Sequence, residues 1–170
     1  EEPIHHFDFV MWYLAGLGDP VSVQSVGNTL QAADDLTQAT LFDNFSSVLR
    51  YRDGAYAQIT MSVAAFEHHL LMEGVGSEGA LRAWWSADDA RSEQPTFELK
   101  LRRKGTQQVE VLPIQASGEL VELREGIRQA HEGFRSGQPV VSGVEARKRT
   151  LVCLEAERSL REGRVISLAF

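Results

Sequence analysis

Glu1, His5 and Asp8 are the residues of this chain whose types and spacing fit chemistry. If the opening segment is helical, they follow one another at i, i+4 and i+7 and share one face. An imidazole flanked by carboxylates is what proton transfer requires. The ring has an unperturbed pKa of about 6.5, so it can take and return a proton near neutral pH. A neighbouring carboxylate would stabilise the imidazolium form and fix the tautomer. Asp8 is expected to bond His5 or backbone, or to touch substrate. His6 points about 100° away from His5 and is expected to pack or to contact substrate. Glu1 and Glu2 also suit a plainer role, first-turn acids that complement the helix dipole. Glu1, His5 and Asp8 could mimic a two-carboxylate, one-His metal site, but nothing supplies the second His of a typical zinc or iron site, and no metal is expected.

The elements that must hold these residues can be read from periodicity. Residues 4–17 should form the first helix, with Phe9, Val10, Trp12, Tyr13 and Leu14 apolar and Gly16, Gly18 and Asp19-Pro20 ending it. A strand over 20–29 and a polar loop over 31–44 follow. Residues 45–52 and 55–66 read as a hairpin turning at Asp53-Gly54, where both positions tolerate positive φ. Residues 68–75 with 79–86, and 96–103 with 107–112, read as two further hairpins. After Pro113 the period changes: Leu120, Leu123, Ile127, Ala130 and Phe134 mark a helix over 118–136. A second helix covers 143–162 with Gly163 as its C-cap, and a short strand ends the chain at 164–168. The expected class is α+β: one domain, a large mostly antiparallel sheet in meander order, helices on one face and the other face open for oligomer contact.

Composition limits the function. The chain has 170 residues, 43% hydrophobic and 24% charged, which are globular values. A formal charge of −7 argues against a nucleic-acid partner. No apolar run reaches the ~18 residues that span a membrane. The one cysteine, Cys153 in Leu151-Val152-Cys153-Leu154, excludes an internal disulfide and reads as a core thiol. Gly74-Val75-Gly76-Ser77-Glu78-Gly79 looks like a phosphate loop, yet it lies between two strands with no helix N-terminus to receive a phosphate. His68 and His69 should face opposite sides of a strand, as should Trp84 and Trp85. One member of each pair would then lie on an open face suited to dimer contact. Arg50, Arg52, Arg102, Arg103 and Lys104 read as solvated strand-end charges.

Several segments together resemble a known family. Glu1-x-x-x-His5-x-x-Asp8, an apolar helix and Gly18-Asp19-Pro20-Val21 are similar to the start of the C-terminal domain of the Gfo/Idh/MocA oxidoreductases, the glucose–fructose oxidoreductase and inositol dehydrogenase relatives. Val48-Leu49-Arg50-Tyr51-Arg52-Asp53-Gly54-Ala55 resembles the family's first sheet hairpin, and Gly74–Leu81 its Gly-x-x-Gly strand turn. Gly137–Arg147 and Glu155–Ile166 resemble its C-terminal helix and final strand.

The resemblance implies a substrate-binding and oligomerisation domain. Its NAD or NADP would be held mainly by a Rossmann domain upstream of Glu1, so the isolated domain is expected to be inactive. It also implies His5 as the general acid/base for a substrate hydroxyl and Glu1, where the family usually has Asp, as the carboxylate that orients it. His6 and Asp8 are expected to contact a sugar, polyol or related hydroxy compound. A family Lys that shares the catalytic work lies in the Rossmann domain. Two alternatives within the family are an NAD-dependent glycosidase and a non-catalytic sugar-sensing regulator. A homodimer or homotetramer formed through the sheet, and a cytoplasmic location with any targeting segment upstream, complete the expectations.

Overall fold

A computed structural model describes residues 3–29, 42–63, 65, 68–89, 91–92 and 94–170. The chain divides into two compact units, Glu1–Ala64 with Val141–Phe170, and Ala65–Val140.

The first unit opens with helix α1, Pro3–Tyr13. Its helical hydrogen bonding gives way to a 3₁₀ turn at Ala15–Leu17, four residues short of the expected helix end. Gly18 follows at φ 78°, a conformation that stops the helix. Strands β1 (Ser22–Asn28), β2 (Asn44–Arg50) and β3 (Tyr56–Ser62) then form an antiparallel sheet with the terminal strand β8 (Ile166–Ser167), in the order β3-β2-β1-β8. The expected Asp53-Gly54 turn joins β2 to β3. Gly54 sits at φ 87°, and the Asp53 carboxylate accepts from Ala55 N at 3.1 Å.

Burial in β2 alternates strictly, which puts Phe45, Ser47 and Leu49 on one face. Against that face lies the long helix α3, Gly143–Glu162. Its buried residues Arg149, Val152, Ala156 and Ser159 recur at three- and four-residue spacing, one helical stripe. Ser142 caps its first turn through Glu145 N, and Gly163 ends it in the left-handed conformation. Helix α1 packs beside α3 through Phe7 and Met11, so the core joins both helices to Val23, Leu49, Tyr51, Ile59 and Ile166.

The second unit is the meander β4 (His68–Gly76), β5 (Gly79–Ala87), β6 (Thr96–Arg103) and β7 (Glu110–Leu112), all antiparallel neighbours in chain order. Helix α2, Glu119–Ser136, follows it.

The α+β class, with antiparallel sheet and helices, is as expected. Among the described residues each unit holds one four-stranded antiparallel sheet. Helices do pack on one face of the first sheet, whereas the apolar stripe of α2 is open, with Leu123 55% and Ile127 62% exposed. The expected loop over 31–44 lies mostly outside the described residues, as does the end of the strand predicted over 55–66.

Candidate active site

Helix α1 sets the direction of the residues that the sequence singled out. Phe7 is buried and anchors the rotation of the helix in the core. At about 100° per residue, His5 lies roughly opposite Phe7 and Asp8 lies about a quarter-turn from it. His5 is accordingly exposed, while His6 and Asp8 are half-buried. Glu1 lies outside the described residues.

Among the described residues, Asp8 bonds neither backbone nor His5. Its carboxylate accepts a hydrogen bond from Arg149 Nε of α3 at 2.9 Å. Arg149 is buried and its guanidinium is held on a second side by Glu145: Nη1 bonds the Glu145 carboxylate and also reaches its backbone carbonyl at 3.3 Å. Burial opposes the charge of Arg149, but the bonds to Glu145 and Asp8 outweigh it and raise its pKa. The same bond to Arg149 lowers the pKa of Glu145.

One residue earlier on α3, Lys148 bonds Asp19 at 2.8 Å and Glu145 at 3.5 Å, and the bond to Asp19 raises its pKa. Lys148 also lies over the Phe170 ring, 5.8 Å from its centroid. These charges line a cavity of about 300 Å³ together with Met11, Ala15 and Gly18. The Tyr51 hydroxyl is buried without a hydrogen-bond partner among the described residues. Burial first, and Asp19 second, push its pKa up to about 12.

The structure therefore brings Asp8 to Arg149 and places His5 less than one turn before it on an open flank. Sequence reasoning missed Arg149 and Lys148. The available signal was the i, i+4 pair Glu145–Arg149 on a predicted helix, which by itself reads as an ordinary surface pair. Among the described residues, no group of three His, Cys, Asp or Glu is placed to hold a metal. Gly74–Gly79 joins two antiparallel strands, β4 and β5, and so offers no strand-to-helix phosphate cradle.

In the second unit the two histidines of β4 each meet one tryptophan of β5, on opposite faces of the sheet. His69 stacks on Trp84 with ring centroids 5.4 Å apart, and His68 meets Trp85 edge-on at 5.3 Å.

A search of the curated proteins gave no match. Among solved structures, the chain is similar to an aldose-aldose oxidoreductase from Caulobacter crescentus complexed with glycerol. That match has a TM-score of 0.70 and 19% identity and covers 97% of this chain and 45% of that one. It is also similar to a UDP-N-acetylglucosamine 3-dehydrogenase from Acidithiobacillus ferrooxidans, with a TM-score of 0.70 and 17% identity over 94% of this chain and 45% of that one. A third is the WlbA dehydrogenase from Bordetella pertussis in complex with NADH and UDP-GlcNAcA, with a TM-score of 0.59 and 15% identity over all of this chain and 44% of that one. The chain thus spans under half the length of these structures, and at such identities they show a shared fold. The family model described as the GFO/IDH/MocA C-terminal domain matches residues 3–82, which include α1 and its His5 and Asp8. Over residues 3–82 the chain is thus similar to the C-terminal domain of the Gfo/Idh/MocA oxidoreductases, and over nearly its whole length it shares the fold of these solved structures.

Proposed function

We propose that this chain is the substrate-binding domain of an NAD(P)-dependent oxidoreductase acting on a sugar, polyol or related hydroxy compound. One observation carries the reading: α1 presents an exposed imidazole, His5, with a tethered carboxylate, Asp8, less than one turn away, within the segment that matches the family.

His5 takes the proton of the substrate hydroxyl as its carbon is oxidised, and returns it in the reverse direction. Asp8 contacts the sugar on the flank of His5, His6 makes a further contact, and Glu1 orients His5. The described residues offer no cradle for a dinucleotide, so a Rossmann domain elsewhere in the protein holds the nicotinamide, which supplies the hydride acceptor. The similar WlbA dehydrogenase, a complex with NADH and UDP-GlcNAcA, supports a nicotinamide cofactor and a sugar-like substrate. Oligomer contact through the open sheet faces belongs to the same reading.

The test is turnover by the full-length protein with NAD⁺ or NADP⁺ and glucose, myo-inositol or UDP-N-acetylglucosamine. His5→Ala is expected to lower kcat by about 10²- to 10⁴-fold, the range of a positioned acid–base group. Full activity in that variant would remove His5 from the mechanism. Turnover without net NADH production would favour the glycosidase chemistry.

A further inference from the structure

We propose that Arg149 is a positioning residue for substrate recognition: it holds Asp8 in place to accept a hydroxyl next to the one oxidised. The inference rests on the reading of His5 and Asp8 given above and adds a residue from a distant part of the sequence.

Three observations carry it. Arg149 is buried on α3 and spends its donors on two carboxylates from different helices, Asp8 of α1 and Glu145 of its own helix. A guanidinium is planar with its N–H groups in a fixed fork, so pinning Nη1 to Glu145 also fixes the direction of Nε. That nitrogen, at 2.9 Å, orients the Asp8 carboxylate.

Asp8 nevertheless keeps 50% of its side-chain surface accessible. A carboxylate can accept about four hydrogen bonds, so the bond to Arg149 leaves capacity for a ligand. His5 lies three residues earlier, and i, i+3 positions are neighbours on a helix surface. A proton acceptor and an oriented hydroxyl acceptor side by side fit a vicinal diol, in which one hydroxyl is oxidised while its neighbour is held. The substrate class is thus narrowed to compounds with adjacent hydroxyls, such as sugars and polyols.

Arg149→Met keeps much of the side-chain bulk and removes both donors. In the full-length protein, KM for the sugar that the parent turns over fastest should rise about 10- to 100-fold, the worth of a charged hydrogen bond. KM for the nicotinamide nucleotide should stay within about twofold. Asp8→Asn should give a similar rise, and the Arg149→Met/Asp8→Asn double variant little more, because both substitutions break one unit. Arg149→Lys, which keeps the charge, should recover part of the loss.

Equal rises in both KM values, or fully additive effects in the double variant, would show a merely structural clamp and overturn the proposal. So would Arg149→Met kinetics matching the parent while His5→Ala is inactive. A parent without turnover on any of the three sugars, or an active His5→Ala, defeats the underlying reading first, and each is recognisable without the Arg149 variants.

Discussion

Ser159→Ala should loosen the joint between α3 and the first sheet by about 2–3 kcal/mol, and the magnitude follows from what its hydroxyl does. Strand β8 pairs with β1 only at Ser22 and Val23, so among the described residues β1 beyond that point has no strand on one side. The Ser159 hydroxyl stands in for the missing strand. It accepts from Ser25 N at 2.9 Å and donates to the Arg164 carbonyl at 2.6 Å. Ser159 is fully buried and Ser25 is 4% exposed, so water cannot readily replace the hydroxyl at the Ser25 amide. Stranding a buried N–H costs about 1–3 kcal/mol, and a hydrogen bond to a more exposed carbonyl adds about 0.5–1 kcal/mol. The assay is amide hydrogen exchange of the β1 segment in the full-length protein. If exchange proceeds by opening of this joint, 2–3 kcal/mol corresponds to about 30- to 150-fold faster exchange. Ser46→Ala removes an exposed hydroxyl pair with Thr60 and serves as the control, with a change of less than about 0.5 kcal/mol. Unchanged exchange at Ser25 in Ser159→Ala would refute the claim that this hydroxyl completes the strand edge.

Gly27→Ala should destabilise by about 1–3 kcal/mol, since an added Cβ would lie 2.4 Å from the Asn44 carbonyl and 2.9 Å from Phe45 Cβ. Gly16→Ala, with nothing within 4 Å, should be nearly neutral, and equal melting temperatures for the two would sink the argument. Burial pushes the Cys153 thiol up to about 11, so the reactive thiolate appears only as pH rises toward that value. At pH 9 iodoacetamide should label Cys153 slowly in the native protein and rapidly in urea, and equal rates would show that the thiol is accessible. Tyr51→Phe removes a buried hydroxyl that has no hydrogen-bond partner among the described residues. It should leave stability unchanged or raise it by up to about 1 kcal/mol in thermal unfolding, and a loss larger than that would mean the hydroxyl is satisfied.

Local chemistry made much of the fold legible before any coordinates. Asp53-Gly54 turns because Gly54 takes a positive φ and Asp53 bonds the backbone two residues on. Gly163 ends α3 in the left-handed conformation expected of a C-cap glycine. What failed was non-local. The amphipathic pattern of α2 predicted the helix correctly but not whether its stripe is covered, because periodicity says nothing about what lies opposite.

The sequence by itself determined the chemistry-bearing face: with α1 a helix, the spacing of His5 and Asp8 places them on one flank, and the rotation fixed by Phe7 leaves His5 exposed. Only the tertiary structure decided what Asp8 is bonded to. Its partner, Arg149, is 141 residues away, and nothing in the local pattern of α1 encodes it. The reason is physical. Helix periodicity is set by backbone hydrogen bonds four residues apart, whereas the meeting of α1 with α3 is set by the packing of Phe7, Met11, Val152 and Ala156 into one core.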